Sequence, residues 1–317
     1  MRSCVAGISR EESTVFDMWR QAKTQPIPWK NKCIRCPFNM YYEPRVSKQC
    51  SNSLGQEEIV VSLLAGKSGL MHQNGTFLEI GGGDGLHESN TMFLEACLGW
   101  RGILVEPNPR LASAMCLNRP RAVSVSTGVC SPPATSMAFD VFYKQKGAGM
   151  EERWTMAGSP EYLNPEIRSF HNRSIRTKHM RVPCSPLSLL LRGIRHIDYF
   201  SLDVEGAEAR VLDSVNWDEL SVTLIEVEQS ASSPHKNAKV RSKLVAQGFV
   251  HVYTHWIWPR HIADEFFLHQ RFLSRHLPFV ARIVLRRKSV YSALTDQQSS
   301  SLLDEIVSSA NRSSRGL

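Results

Sequence analysis

The sequence predicts an α/β protein: a mostly parallel sheet with helices on both faces. Three observations predict it. Short apolar runs alternate with helix-period stretches from about Gln56 onward, a cluster of glycines ends the first apolar run abruptly, and an acid ends the second. Glu57 to Leu64 reads as a helix, and Thr76 to Ile80 as a strand that stops at Gly81-Gly82-Gly83-Asp84-Gly85. Leu86 to Leu98 places Met92, Phe93, Ala96 and Cys97 at helical spacing, and Gly99 closes that helix, with Trp100 turning it onto the sheet. Gly102 to Val105 is a second strand ended by Glu106-Pro107, Pro109 to Leu117 a further helix, and Ala122 to Val129 a third strand.

Met137 to Tyr143 reads as an additional extended piece, followed by a polar, Arg-rich stretch from Glu151 to Met180. The alternation resumes with Ile197 to Leu202, the helix Ala207 to Val215, the strand Val222 to Val227, and the helix Lys236 to Gln247 ended by Gly248. Phe249 to Thr254 and Glu265 to His269 are the final strands, joined by a loop carrying Trp256, Trp258 and Pro259. That connection has no helix pattern, so the pair is predicted antiparallel, because a parallel pair needs a crossover. The organisation is then an irregular arm at 1–51, rich in proline, a main domain at 52–270 with an insertion at about 144–181, and a basic tail at 271–317.

With 42% apolar and 21% charged residues, the chain has the composition of an ordinary globular protein. The net charge of +8 favours anionic partners, but no aromatic residues alternate with the basic stretches, as a nucleic-acid stacking platform requires, so no nucleic acid is expected. No apolar run is long enough for a membrane span, and Met1 to Arg20 lack the apolar stretch of a signal peptide, which makes a cytoplasmic protein the default. The eight cysteines are scattered, and an even count in a chain this long says little about disulfides. Cys33 and Cys36 form a CxxC without the second pair that zinc wants, so no metal site is assigned there. Asn74, Asn172 and Asn311 each begin a glycosylation sequon, a number expected by chance.

Open α/β sheets bind ligands beyond the carboxyl ends of their strands, where strand order reverses. Here Glu79 is followed by glycines at Gly81, Gly83 and Gly85, which permit positive φ and close approach of a ligand to backbone. The nicotinamide fingerprint would place its last glycine where this chain has Leu86, so the loop suits S-adenosylmethionine better than a dinucleotide. Glu106, about twenty residues beyond the loop, can accept both ribose hydroxyls, with Pro107 and Asn108 beside it. Adenine is expected near Gly128 to Ser131, including Val129. The geometric expectation is that Glu79, the turn with Asp84, and Glu106 converge on one adenosyl group. Asp203-Val204-Glu205-Gly206, with Glu208 in the next helix, forms the densest acidic cluster. Such acids can orient a cofactor, accept a proton, ligate a divalent cation, or merely cap a helix. Glu226 and Glu228 add partners.

At these residues the sequence resembles the FkbM family of methyltransferases. The resemblance rests on FLEIGGGDGLHESNTMFLEACLGWRGILVEPNP (Phe77 to Pro109) and RHIDYFSLDVEGAEARVLDSVNW (Arg195 to Trp217), with the weaker TLIEVE, DEFFLH and NSLGQEEIV blocks, and it spans roughly Asn52 to His269. It implies a seven-stranded Rossmann-like class I methyltransferase fold, S-adenosyl-L-methionine as cofactor, and O-methylation of a hydroxyl on a sugar or small metabolite. Residue by residue, it makes the glycine loop, Glu106, and Asp203, Glu205 and Gly206 cofactor contacts. Where relatives often carry an acid or its amide near adenine, this chain has Cys130-Ser131.

Methyl transfer is an in-line displacement, so alignment and exclusion of water are the protein's main tasks. A sugar hydroxyl still gains from a base, for which Asp203 is the first candidate and His255 the second. Trp256 and Trp258 could wall a sugar ring or simply pack. The partner is then a small-molecule or glycan acceptor, with a divalent cation as a further candidate. Three other readings compete: a nucleic-acid methyltransferase, a nicotinamide-dependent oxidoreductase and a catalytically dead binding module. The first would want prolines and an aromatic after Asp203, where Val204-Glu205-Gly206 stands, and the last would be expected to have lost the glycine loop or Glu106, both of which are intact.

Overall fold

The computed structural model describes residues 4–6, 15, 56–64, 75–146, 149–164, 175–258 and 261–272. The CxxC, the three sequon asparagines and the basic run Arg286 to Lys288 lie outside them. The strands are β1 (Cys4–Ala6), β2 (Thr76–Ile80), β3 (Arg101–Glu106), β4 (Val123–Ser126), β5 (Gly128–Val129), β6 (Ser136–Lys146), β7 (Gly149–Gly158), β8 (Ile175–Ser185), β9 (His196–Leu202), β10 (Ser221–Ser230), β11 (Phe249–Trp258) and β12 (Ile262–His269). The helices are α1 (Gln56–Leu64), α2 (Met92–Leu98), α3 (Pro109–Asn118), α4 (Leu187–Leu190), α5 (Glu208–Asp213) and α6 (Pro234–Ala246).

The main sheet runs β1-β4-β3-β2-β9-β10-β12-β11, and β12 alone opposes its neighbours. This is the mostly parallel sheet with an antiparallel last strand that the sequence predicts. Seven of its strands are the expected ones, and β1, from the arm read as irregular, adds an edge strand parallel to β4. Period-two alternation sorts the strand residues between two cores. Phe77, Leu104, Tyr199, Leu224 and Phe266 meet α1, α2 and α3 on one face. Leu78, Ile80, Ile103, Val105, Phe200, Leu202, Ile225 and Val227 meet α4, α5 and α6 on the other. Each such fully buried side chain contributes about 1.5–3 kcal/mol, so both faces are held by ordinary apolar burial.

Several elements differ from the sequence reading, each for a local reason. The helix expected from Leu86 begins at Met92. Asp84 Oδ1 accepts from the backbone N–H groups of Leu86 and His87, and Glu88 adopts φ 56°, which no helix continues through. The strand expected to run to Val129 splits: β4 stays in the main sheet, while β5 leaves it to pair with β8. The region read as an insertion is largely β-structure, with β7 and β8 flanking β6 in a second sheet of order β5-β8-β6-β7. Trp256 and Trp258 belong to β11 rather than to a loop, because β11 pairs with β12 as far as Trp258↔Ile262. Cysteine pairing, which the spacing does not predict, is present: Cys130 and Cys184 form a disulfide, and Cys97 and Cys116 are also disulfide-bonded. No helix among the described residues is long and apolar enough to cross a membrane.

Candidate active site

β2 is followed in the chain by β3 and β4 on one side, whereas β9 flanks it on the other, so strand order reverses between β2 and β9. The glycine loop leaves β2 at this point, where a crevice forms at the carboxyl edge. Gly81 has φ 92°, and a Cβ there would lie 1.8 Å from the backbone oxygen of Asp203, so the loop and the β9 exit touch too closely for any side chain. Gly85 has φ 79°, and its Cβ would crowd Arg119 Cγ at 2.7 Å. Gly83 differs: a Cβ would meet nothing within 4 Å. Packing demands two of these glycines, and the third faces open space.

Glu106 sits beside that space. Its Oε2 accepts from Gly83 N at 2.9 Å and its Oε1 from Asn108 N at 2.7 Å. Asn108 is buried and caps α3 by accepting from Arg110 N, while half-buried Pro107 lies between. Asp84 is likewise engaged by the loop's own N–H groups and by His87 Nδ1 at 2.6 Å.

Glu79 turns away from the loop's open side. Its oxygens accept from Ser89 Oγ, Asn90 N and Thr91 Oγ1, all at the start of α2. Burial raises its pKa, and the Arg119 guanidinium 3.8 Å away opposes that rise. The expected convergence of Glu79 and Glu106 on one cavity is therefore not what the side chains do: Glu106 borders Gly83, and Glu79 braces the turn from beneath. The residue that sequence reading misses is Arg119. Fully buried, it donates Nε to Glu95 at 2.7 Å, Nη1 to Ser89 Oγ and the Gly85 carbonyl, and Nη2 to Thr91 Oγ1. It follows α3 with no motif to mark it, so only the three-dimensional return of α3 beneath the loop reveals it.

Across the crevice the chemistry reverses. Asp203, Glu205 and Glu228 bring one oxygen each within 4.8 Å of one another, and Asp203 Oδ1 is buried with no hydrogen-bond partner. Burial, then the charges of Asp264 and Glu208, push the Asp203 carboxyl up to about 8. Glu228 is raised well above the usual range by burial and by Asp203 and Glu205. In register, Glu228 faces Asp264 on β12, and Asp264 faces His255 on β11, which puts all three on one face of the sheet. Asp264 is pushed up to about 7 by burial and accepts from Gln56 Nε2 at 2.6 Å.

Gly206, at φ 112°, lets the insertion approach: a Cβ there would lie 2.2 Å from the Tyr162 carbonyl. Asn164 N donates to the Glu205 carbonyl and Lys236 Nζ to the Tyr162 carbonyl, so the segment after β7 rests on the acidic exit. Glu205 is held at φ 59° beside it. Val129, half-buried in β5, lies on the far side of Glu106, since Thr127 N donates to the Glu106 carbonyl. The structure thus gathers Gly81, Gly83, Glu106, Asp203, Glu205 and Gly206 along one edge, with His255 two strands beyond Glu228. Glu79, Asp84, Gly85 and Asn108 serve the loop's construction.

Solved structures similar to this chain include precorrin-6y C5,15-methyltransferase from Geobacter metallireducens (10% identity over 76% of this chain and 96% of that one, TM-score 0.36). Fibrillarin from Aeropyrum pernix, solved with natively bound S-adenosyl-L-methionine, is 12% identical over 68% of this chain and 76% of that one, with TM-score 0.38. TrmK from M. capricolum, solved with S-adenosylhomocysteine, is 8% identical over 81% and 95%, with TM-score 0.35. No curated protein sequence matches significantly. The profile of the Methyltransferase FkbM domain matches residues 79–251, more than half of the chain, and takes in the glycine loop, Glu106 and the acidic exit, so this protein belongs to the FkbM methyltransferase family.

Proposed function

We propose that this methyltransferase uses S-adenosyl-L-methionine to methylate a hydroxyl on a glycan or small metabolite. One observation carries the reading: the open space over Gly83 is bordered by Glu106, while the neighbouring strand exit offers Asp203, a carboxyl pushed up to about 8 with a buried, unpartnered oxygen. These residues fit the cofactor. Glu106 is a carboxylate at the strand end beside Gly83, of the kind that accepts ribose hydroxyls, Gly83 allows close approach, and the acids across the crevice suit a cationic ligand. When bound, the cofactor supplies an electrophilic methyl group on a sulfonium. In its ionised form, which a cationic ligand in the crevice favours, Asp203 is positioned to take the proton that the acceptor hydroxyl loses, with Glu228 hydrogen-bonded beside it. The segment Ser159 to Asn164 rests on the Asp203–Gly206 exit and would wall off water. His255, in line with Asp264 and Glu228, is proposed as a second proton acceptor.

The cluster of Asp203, Glu205 and Glu228 favours a second reading of the same acids, in which a divalent cation polarises the acceptor oxygen. The experiments separate the readings. S-adenosylhomocysteine at a hundred times its dissociation constant adds about 2.7 kcal/mol to stability and raises the unfolding midpoint by several degrees; no shift would sink the cofactor assignment. Transfer of labelled methyl to a panel of glycans and small alcohols, with RNA and protein alongside, tests the acceptor class. Loss of transfer in a chelator, restored by magnesium or manganese, selects the metal form of the mechanism. Unchanged transfer selects the carboxylate base.

A further inference from the structure

The described cysteines take no part in the chemistry proposed above, yet one bonded pair, Cys130–Cys184, lies beside it. β4 ends beside Glu106, with Ser126 paired to Glu106 and Thr127 N donating to its carbonyl. Directly afterwards β5 crosses into the second sheet, pairing Gly128 with Cys184 and Val129 with Ser185. A two-residue strand is a slender attachment for the wall on which adenine is expected to lie. Thr127 Oγ1 donating to the Pro183 carbonyl and Cys130 N donating to the Ser185 carbonyl add little to it. The covalent link is Cys130–Cys184, which closes a separation of 54 residues with Cα atoms 5.6 Å apart, and Cys184 is buried. Gly128, under this link, already packs against Met137, so the junction has little room to adjust.

The pattern extends beyond one bond. Cys97 lies in the last turn of α2, Cys116 on α3, and both are disulfide-bonded. All four cysteines whose side chains are described are therefore oxidised, Cys130 and Cys184 beside the end of β4 and Cys97 and Cys116 on the helices α2 and α3. Reducing cytosolic thiol pools do not sustain such pairs, whereas secretory and extracellular compartments do. Chance burial of cysteine as a small apolar residue would leave thiols rather than bonds.

We propose that the Cys130–Cys184 disulfide completes the adenine side of the cofactor pocket, so that the competent enzyme is the oxidised form and works in an oxidising compartment on acceptors found there. This rests on the cofactor reading above and replaces the cytoplasmic default. Cys130 and Cys184 are positioning residues: they touch no reacting atom and act through the wall formed by Gly128 and Val129. Reduction by a dithiol transfers two electrons and two protons, returning both cysteines to thiols while the reagent closes to a cyclic disulfide.

The test compares the full chain made through a secretory pathway with the same chain made in a reducing cytosol. In the secreted protein, alkylation without prior reduction should leave Cys97, Cys116, Cys130 and Cys184 unlabelled. Dithiothreitol should weaken S-adenosylhomocysteine binding about tenfold while the fold persists by circular dichroism, and oxidised glutathione should restore it. The double variant C130S/C184S should bind as weakly without reductant, which separates this bond from those at Cys97 and Cys116. If that variant does not fold, dithiothreitol titration of the intact chain, with labelling followed at each cysteine, carries the same comparison. Free thiols at Cys130 and Cys184 in the secreted protein, or unchanged affinity once that pair is reduced, overturns the proposal. Failure of the oxidised chain to bind the ligand at all would instead overturn the cofactor reading beneath it.

Discussion

The two sides of the crevice are built on opposite electrostatic plans. On the β2–β3 side, Glu79 and Glu95 lie against buried Arg119, and Glu106 and Asp84 accept backbone N–H groups. On the β9–β10–β12 side, Asp203, Glu228, Asp264 and Glu226 crowd together, and among the described residues no ion pair joins Asp203 or Glu228 to a cation. Preformed hydrogen bonds fix a loop geometry before any ligand arrives. Under-neutralised acids do the reverse, storing a demand for protons or positive charge that a cationic ligand can meet.

Removing the cation from the satisfied side should give the largest effect. Arg119→Met leaves Glu95 and Glu79 buried without their partner and should cost about 3–5 kcal/mol in urea unfolding. A loss below about 1 kcal/mol would mean the loop does not depend on this network. On the acidic side, Asp203→Asn should lower turnover about a hundredfold or more while the protein stays folded. Its stability should respond in the opposite sense to that of Arg119→Met. Folding raises the Asp203 carboxyl from 3.8 to about 8, so the native state holds the extra proton between those values and wild-type stability falls as pH rises through that window. The asparagine variant should lose part of this slope, and an unchanged slope between pH 5 and 8 would remove Asp203 from the coupled cluster.

Glu106→Gln keeps one carbonyl acceptor but loses its charge, so calorimetry should find S-adenosylhomocysteine bound about tenfold to thirtyfold more weakly, with a small change in stability. Equal affinity would move the ribose site elsewhere. The smallest effect is expected for Gly83→Ala. It should cost only about 1–2 kcal/mol of backbone strain, because its methyl group enters open space, yet it should still weaken ligand binding. Gly81→Ala, whose Cβ falls 1.8 Å from the Asp203 carbonyl, is its control and should be far more disruptive.

Much of this edge is legible in the chain alone. Thr76 to Ile80 followed by glycines, and Gly102 to Val105 followed by Glu106, announce two neighbouring strand exits, because alternation and glycine placement are local properties. The position of Asp203 at the end of a buried strand is legible for the same reason. The misreadings are places where a local pattern yields to a distant partner. Leu86 to Thr91 has helical spacing but is captured by the side chains of Asp84 and Glu79. Ala122 to Val129 is one apolar run that two sheets divide between them. The tryptophans after Thr254 look like loop residues until β12 extends the ladder past them.

By itself, then, the sequence determined the parallel α/β plan, the glycine turn and the acids at the strand ends, since periodicity, turn chemistry and strand punctuation act over a few residues. Tertiary structure alone decided that Glu79 braces while Glu106 borders the open space over Gly83, that Arg119 neutralises the floor of the loop, that Glu228, Asp264 and His255 fall in one row, and that Cys130 meets Cys184. Each of these depends on register and on contacts between residues remote in the chain, where burial and charge are set by what folding brings alongside.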